Sequence, residues 1–281
     1  MKKRRPYATV TIDFLIRFAL IALIAMFVIV PIYWTLVTSL KQESDIMRKG
    51  LYLPDPATLK NYIFAWIKAD FSVYFKNTLI ISGATALIVI VLTLFTAYAL
   101  SRFRFRGRKA FMAALLITQL LPSTVLIIPL FLIFNGLGLI DTLFSLVISY
   151  TATMLPFNAV LMKSFVDGVP IALEEAGMID GCSRFQVISK ILFPLVMPGV
   201  VAVGAFAFLN SWNEFIFPII FLFTKEKFVL SIGLSYMLGQ NVTHYGGLAA
   251  GSIIALSVPI LLFGFMQKHL IAGLSQGAVK G

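Results

Sequence analysis

Cysteine is almost absent. Cys182 stands alone among 281 residues, which excludes an intrachain disulfide and any cysteine-rich metal site, so it is read as a small packing residue. Histidine is nearly as scarce, with only His244 and His269, and His-Glu-x-x-His does not occur. No Gly-x4-Gly-Lys-Ser/Thr run is present either, so the chain encodes no phosphate loop for a nucleotide. Charge is thin overall, at 12% of positions, and acids are rarer than bases, 12 against 23. The formal charge of +11 does not describe a nucleic-acid surface, because Lys and Arg lie between long apolar runs and not along one continuous face.

What is abundant is apolar surface. Hydrophobic residues fill 59% of the chain, more than one water-soluble core can hide, so lipid must be the solvent. Six stretches reach the roughly 20 residues needed to cross a bilayer: 18–40, 78–100, 111–134, 143–166, 199–223 and 248–266. The first follows Lys2-Lys3-Arg4-Arg5. Its apolar run is too long for a signal-peptide core and lacks a small-x-small cleavage site, so it is expected to be a retained anchor. Pro122 and Pro129 interrupt the third stretch and free backbone groups that neighbouring helices or a wet cavity must satisfy. The expected class is an all-α membrane protein with six transmembrane helices in a single transmembrane domain over residues 1–281.

Orientation is read from the cations. The 101–109 loop holds Arg102, Arg104, Arg106, Arg108 and Lys109, whereas 135–142 has no Lys or Arg; the first is expected inside and the second outside. Six spans then place both termini in the cytoplasm. The 41–76 stretch runs against a mechanical use of this rule, with six Lys and Arg residues and four acids, but its length weakens the rule. Its Tyr62, Phe64, Trp66, Phe71, Tyr74 and Phe75 predict a segment lying along the membrane interface.

The connection between the fourth and fifth spans, about 167–198, carries the most information. Pro170 suits the first turn of a short helix, Glu174 and Glu175 lie in its first half, and Gly181 suits the left-handed residue that ends it. Ser183 caps a second helix that is expected to stop before Pro194. Ala176 and Gly177 carry almost no side chain, so a partner's backbone can approach that surface closely. The pattern describes a docking knob with charged flanks, or an ordinary helical hairpin that only joins two spans.

Glu175-Ala176-Gly177, Gly181, Ile191 and Phe193-Pro194 resemble, at matching spacing, the Glu-Ala-Ala-x3-Gly-x9-Ile-x-Leu-Pro motif of the permeases of bacterial ATP-binding-cassette importers. Gly177 and Phe193 depart from it but stay small or apolar. Phe75-Lys-Asn77-Thr78, Trp212-Asn213-Glu214-Phe215 and the terminal Gly273-Leu274-Ser275-Gln276-Gly277-Ala-Val-Lys280-Gly281 narrow the resemblance to the carbohydrate, MalG-like branch. The resemblance implies the fold of a type I importer permease in a bacterial inner membrane. It also implies a second, MalF-like permease, two ATPase subunits that use ATP and Mg, an external solute-binding protein and a carbohydrate cargo, with no cofactor bound by this chain itself. On that reading Glu174, Glu175, Ala176, Gly177, Asp180, Gly181 and Arg184 form the helix that couples to the ATPase, and Gln276, Gly277 and Lys280 belong to a tail that contacts it.

Within the fifth span, Asn210, Asn213 and Glu214 fall at i, i+3 and i+4 and share one helical face. A carboxylate at mid-membrane is costly and usually faces a bundle interior or water. That face is expected to line the translocation pathway, or else to fix helix packing. Trp212 lies off it and is expected to pack. Two other classes compete: a secondary transporter or channel that uses Glu214 as its intramembrane acid, and a membrane-embedded enzyme, for which no convergent set of catalytic groups is found.

Overall fold

The computed structural model describes residues 7–47, 53–238 and 244–277, with side chains over 16–47, 53–238 and 244–267. Every regular element among them is helical: α1 (Tyr7–Ser39), α2 (Lys60–Ile63), α3 (Phe71–Arg102), α4 (Arg108–Thr118), α5 (Ile127–Gly136), α6 (Leu143–Asp167), α7 (Ile171–Ile179), α8 (Arg184–Gln186), α9 (Phe193–Leu195), α10 (Met197–Asn213), α11 (Ile216–Phe221), α12 (Leu230–Met237) and α13 (Tyr245–Gly277). Four helices among the described residues are long and apolar enough to span a membrane alone, and two bent pairs bring the number to six if each pair is one span.

The chain divides into two compact units, one of residues up to Ala69 with Tyr236–Ile254, the other of Asp70–Ser235 with Ala255–Gly281. In the first, Asn61 Nδ2 donates to the carbonyls of Ser39 at 2.9 Å and Lys41 at 2.7 Å, which ties α2 to the end of α1. The Glu43 carboxylate accepts from the N–H groups of Tyr245 and Gly246 at 2.8 and 3.0 Å. It thereby satisfies orphan donors at the start of α13.

The second unit is built on α3, α6 and α10. Ala86, Val89, Ala97, Met162, Val166, Val203 and Ala207 form its core together with Leu192. Both α3 and α6 also bury small polar side chains, among them Ser82, Thr85, Ser145, Ser149 and Asn158. Small residues let helix backbones approach where lipid offers no hydrophobic drive to associate. The aromatic segment expected at the interface is partly interior: Phe71 and Tyr74 are buried in the first turns of α3, and Phe75 sets its ring edge-on to Trp212 at 5.6 Å. They are packing residues because α3 begins at Phe71, earlier than hydropathy suggests, so these rings belong to a helix face that meets other helices.

The third and fifth spans are not straight rods. The helix of α4 and the segment Ser123–Gly136 meet at 96° around Pro122, where the missing N–H prevents continuation. The second hairpin helix does not stop before Pro194. It passes through a π-helical turn at Val187–Leu192 into α9 and bends by 81° into α10 after Leu195. Pro194 lies inside this continuous stretch, and its missing N–H coincides with the π-helical turn before it and the bend after it, the features that accommodate a proline within a helix. The expected 199–223 span is split as well: α10 ends at Asn213, Glu214 is extended with ψ 135°, and α11 restarts at Ile216.

Candidate functional site

The 170–195 hairpin folds as local chemistry demands. Pro170 precedes α7, Gly181 ends it with φ 89°, and Ser183 forms a capping box in which Gln186 N–H donates to Ser183 Oγ while Gln186 Oε1 accepts from Ser183 N–H. Burial then divides the candidate coupling residues by face. Glu175, Ala176, Asp180, Gly181 and Arg184 are exposed, whereas Glu174 and Gly177 are buried. A Cβ on Gly177 would lie 2.2 Å from Ile191 Cδ1, so the small residue serves the packing of the two hairpin arms against each other and not the approach of a partner. Glu174 likewise leaves the exposed edge: its Oε1 accepts from Arg102 Nε at 2.7 Å. Helical geometry accounts for the split, since successive residues point about 100° apart.

At the break between α10 and α11, Glu214 acts on backbone. Its carboxylate accepts from the N–H groups of Ile216 at 3.2 Å and Phe217 at 2.9 Å, the first donors of α11, and its own carbonyl accepts from Ser231 Oγ at 2.7 Å. The charge expected at mid-helix thus caps a half-helix, as unwound segments in membrane proteins require. The Tyr150 hydroxyl lies 3.5 Å from Glu214 Oε2, at the limit of a hydrogen bond. Asn210 and Asn213 stay on one face of α10, and each donates its amide N–H to its own helix, to Phe206 and Leu209 carbonyls at 2.7 and 2.8 Å. Neither bonds a neighbouring helix through that group. Trp212 is buried, stacks on Phe208 at 5.6 Å and donates to the Ala255 carbonyl at 3.1 Å, so it packs.

Asn210, Asn213 and Glu214 border a 330 Å³ hollow, and Asn210 and Glu214 also enter a second cavity of 360 Å³. The second is lined further by Gln119, Ser123, Tyr150, Thr153 and the Phe157 and Phe206 rings. The two interrupted spans therefore meet polar space at their breaks. Gln119 and Ser123, which flank the Pro122 break, were not singled out from sequence, although two polar residues inside an apolar span are a usable signal.

A second organised cluster holds the far end of α11. Asp141 N–H donates to the Phe221 carbonyl at 2.8 Å, and the Asp141 carboxylate accepts from Phe223 N–H, Thr224 N–H and Lys227 Nζ at 2.9, 3.0 and 2.7 Å. Burial alone would raise the Asp141 pKa, but hydrogen bonds from Lys227, Thr224 and Phe223 outweigh it and hold the carboxyl well below the usual carboxylate range. From α3, Asn77 Nδ2 donates to the carbonyls of Glu226 and Phe228, both at 2.9 Å, while Thr78 Oγ accepts from Leu230 N–H at 2.9 Å. The Asn77-Thr78 pair of the sequence pattern is a clamp on this loop.

The side chains of Gln276 and Gly277, and Lys280 altogether, lie outside the described residues. Gly273–Gly277 spells Gly-x-Ser-x-Gly, but that motif needs a strand-to-helix elbow and here it runs through continuous helix α13. Among the described residues no three or more His, Cys, Asp or Glu gather as metal ligands.

Residues 89–276 match the family described as binding-protein-dependent transport system inner membrane component. The chain is 34% identical to the arabinooligosaccharides transport system permease protein AraQ of Bacillus subtilis, with 94% of each covered. It is 33% identical to the inner membrane ABC transporter permease protein YcjP of Escherichia coli (93% of this chain, 94% of that) and 32% identical to the diacetylchitobiose uptake system permease protein NgcG of Streptomyces coelicolor (93% and 87%). In fold it is similar to a chain of a bacterial ABC transporter involved in alginate import, with TM-score 0.84, 21% identity and coverage of 95% and 99%.

Proposed function

From the premise that this chain belongs to the binding-protein-dependent transport system inner membrane component family, and is a membrane permease of such an importer, we propose that its cargo is a sugar or oligosaccharide. The observation that carries this reading is the 360 Å³ cavity at the span breaks, where amides and hydroxyls are set among the rings of Tyr150, Phe157, Phe206 and Phe217. A polyhydroxylated ring offers hydrogen-bonding edges and apolar faces, and this lining complements both. The names of AraQ and NgcG agree with it. In this proposal Asn210 and Asn213 face the pathway, and Glu214 holds α11 in place beside them. Membership of a binding-protein-dependent transport family disfavours a secondary transporter.

The remaining parts of the machine are partners: a second permease, two ATPase subunits that bind ATP and Mg and do the hydrolysis, and an external binding protein that delivers the sugar. This chain is non-catalytic. The cation asymmetry between 101–109 and 135–142 supports placing the 170–195 hairpin in the cytoplasm, where the exposed edge of Glu175, Ala176, Asp180, Gly181 and Arg184 docks on an ATPase. Reconstitution of the complex tests the reading. Loaded binding protein should stimulate ATP hydrolysis with sugars, and Glu175→Lys should abolish uptake and release the ATPase from membranes that still contain this subunit. Stimulation by amino acids or ions with none by sugars would overturn the cargo assignment. Normal uptake by Glu175→Lys with the ATPase bound would overturn the docking assignment.

A further inference from the structure

Of the five cations between 101 and 109, Arg102 behaves unlike a membrane-flanking charge. It is the last residue of α3, its side chain is only 9% exposed, and Glu174 opposite is 4% exposed. One guanidinium serves three acceptors on two other elements. Nε donates to Glu174 Oε1 of α7 at 2.7 Å, and a terminal nitrogen donates to the carbonyls of Val166 at 3.0 Å and Val169 at 2.8 Å, at and just beyond the end of α6. The Val166 carbonyl also accepts from Val169 N–H at 3.1 Å, and both carbonyls lie at a helix C-terminus, where a cation is favoured by the helix dipole. Tyr98, one turn earlier on α3, lies close to the same glutamate. Two further contacts press the other hairpin arm on α3 and the residue that follows it: Phe185 stacks on Phe95 at 6.5 Å, and the Arg184 guanidinium lies over the Phe103 ring at 5.0 Å.

We propose that Arg102 is a positioning residue that makes the ends of α3 and α6 move with α7. A push on the exposed edge of the hairpin then reaches the two continuous spans and is not lost in the short 168–170 connection. The proposal rests on the docking reading above. The geometry calls for arginine: its planar fork carries five donors in fixed directions, whereas a lysine ammonium is a point charge on a flexible stem. Glu174 and Glu175, adjacent in sequence, would thus have opposite duties, one gripping the spans and the other facing the ATPase.

The test uses the whole complex in proteoliposomes and reads sugar taken up per ATP hydrolysed. Arg102→Gln should keep the ATPase bound yet lower that ratio at least tenfold, with Arg102→Lys intermediate. Glu174→Gln should be milder than Arg102→Gln, because it leaves Nε an acceptor and keeps both carbonyl bonds. A purely structural role predicts instead that uptake and hydrolysis fall together, in proportion to assembled complex, and leave the ratio unchanged. That result, or a wild-type ratio in Arg102→Gln, overturns the proposal. Should Arg102→Gln fail to assemble, Arg102→Lys carries the same comparison. Hydrogen exchange of 171–179 in the same complexes is independent of docking: it should accelerate in both Arg102 variants while 143–150 is unchanged, and equal exchange in 171–179 would refute the grip. Failure of the docking reading shows separately, as normal transport by Glu175→Lys.

Discussion

The continuous spans α3 and α6 differ from the broken pair α4–α5 in packing, while α10, from the other interrupted span, packs with the continuous pair. The span windows of α3 and α6 are 44% and 50% buried within this chain, whereas α4 and α5 bury only Leu115, Ile127 and Phe134. The continuous pair and α10 form a frame, and the breaks bring amides, hydroxyls and backbone ends to polar hollows. Irregular backbone is tolerated at membrane depth only where protein or a water-filled cavity satisfies it. Interruption of a span therefore marks a place where the chain does something besides cross the bilayer.

The sharpest way to break this contrast is to weaken the frame. Leu146→Ala, at a fully buried position of α6, should cost about 2–5 kcal/mol and lower the unfolding midpoint of the detergent-solubilised protein. Leu132→Ala on α5, where the residue is 64% exposed, should change it by less than about 0.5 kcal/mol. Equal losses would mean that the frame and the α4–α5 pair are not distinct.

A smaller effect is expected at the clamp on α11. Asp141→Asn removes the ion pair with Lys227 and weakens the acceptor for two backbone donors, at about 1.5–3 kcal/mol for a charge-assisted contact. Loosening should be confined to 222–230, seen as faster hydrogen exchange there with none in α3 or α6. Because the folded-state pKa of Asp141 is depressed, its contribution is present above the unfolded value of about 3.9 and is lost only as pH falls through the lower folded value. Protection of 222–230, corrected for intrinsic exchange, should therefore be flat between about pH 5 and 8. A loss within that range would deny Asp141 its role.

The smallest structural effect, with a several-fold functional one, belongs to the cavity face. Asn210→Ala and Asn213→Ala remove amides whose N–H groups bond only their own helix, so stability should change by less than about 0.5 kcal/mol while uptake or sugar preference shifts several-fold. Loss of assembly in both would return these residues to packing.

Much of this was legible in the sequence, because it depends on neighbours within a turn or on one long run of a single character. Apolar length specified the membrane and the approximate spans, Pro122 specified a break, and Pro170, Gly181 and Ser183 specified the ends of the hairpin helices. Only tertiary structure decided which side of α7 faces inward, since Glu174 and Glu175 are chemically alike and differ by about 100° of helix rotation. The same holds for Arg102, whose partners lie 64 to 72 residues away, and for Gly177, whose lost side chain makes room for Ile191. Glu214 became a cap and not a mid-helix charge because its helix ends one residue earlier. Pro218 has no N–H for the Glu214 carbonyl, a local signal, whereas the Ser231 hydroxyl that bonds that carbonyl instead is supplied only by tertiary structure.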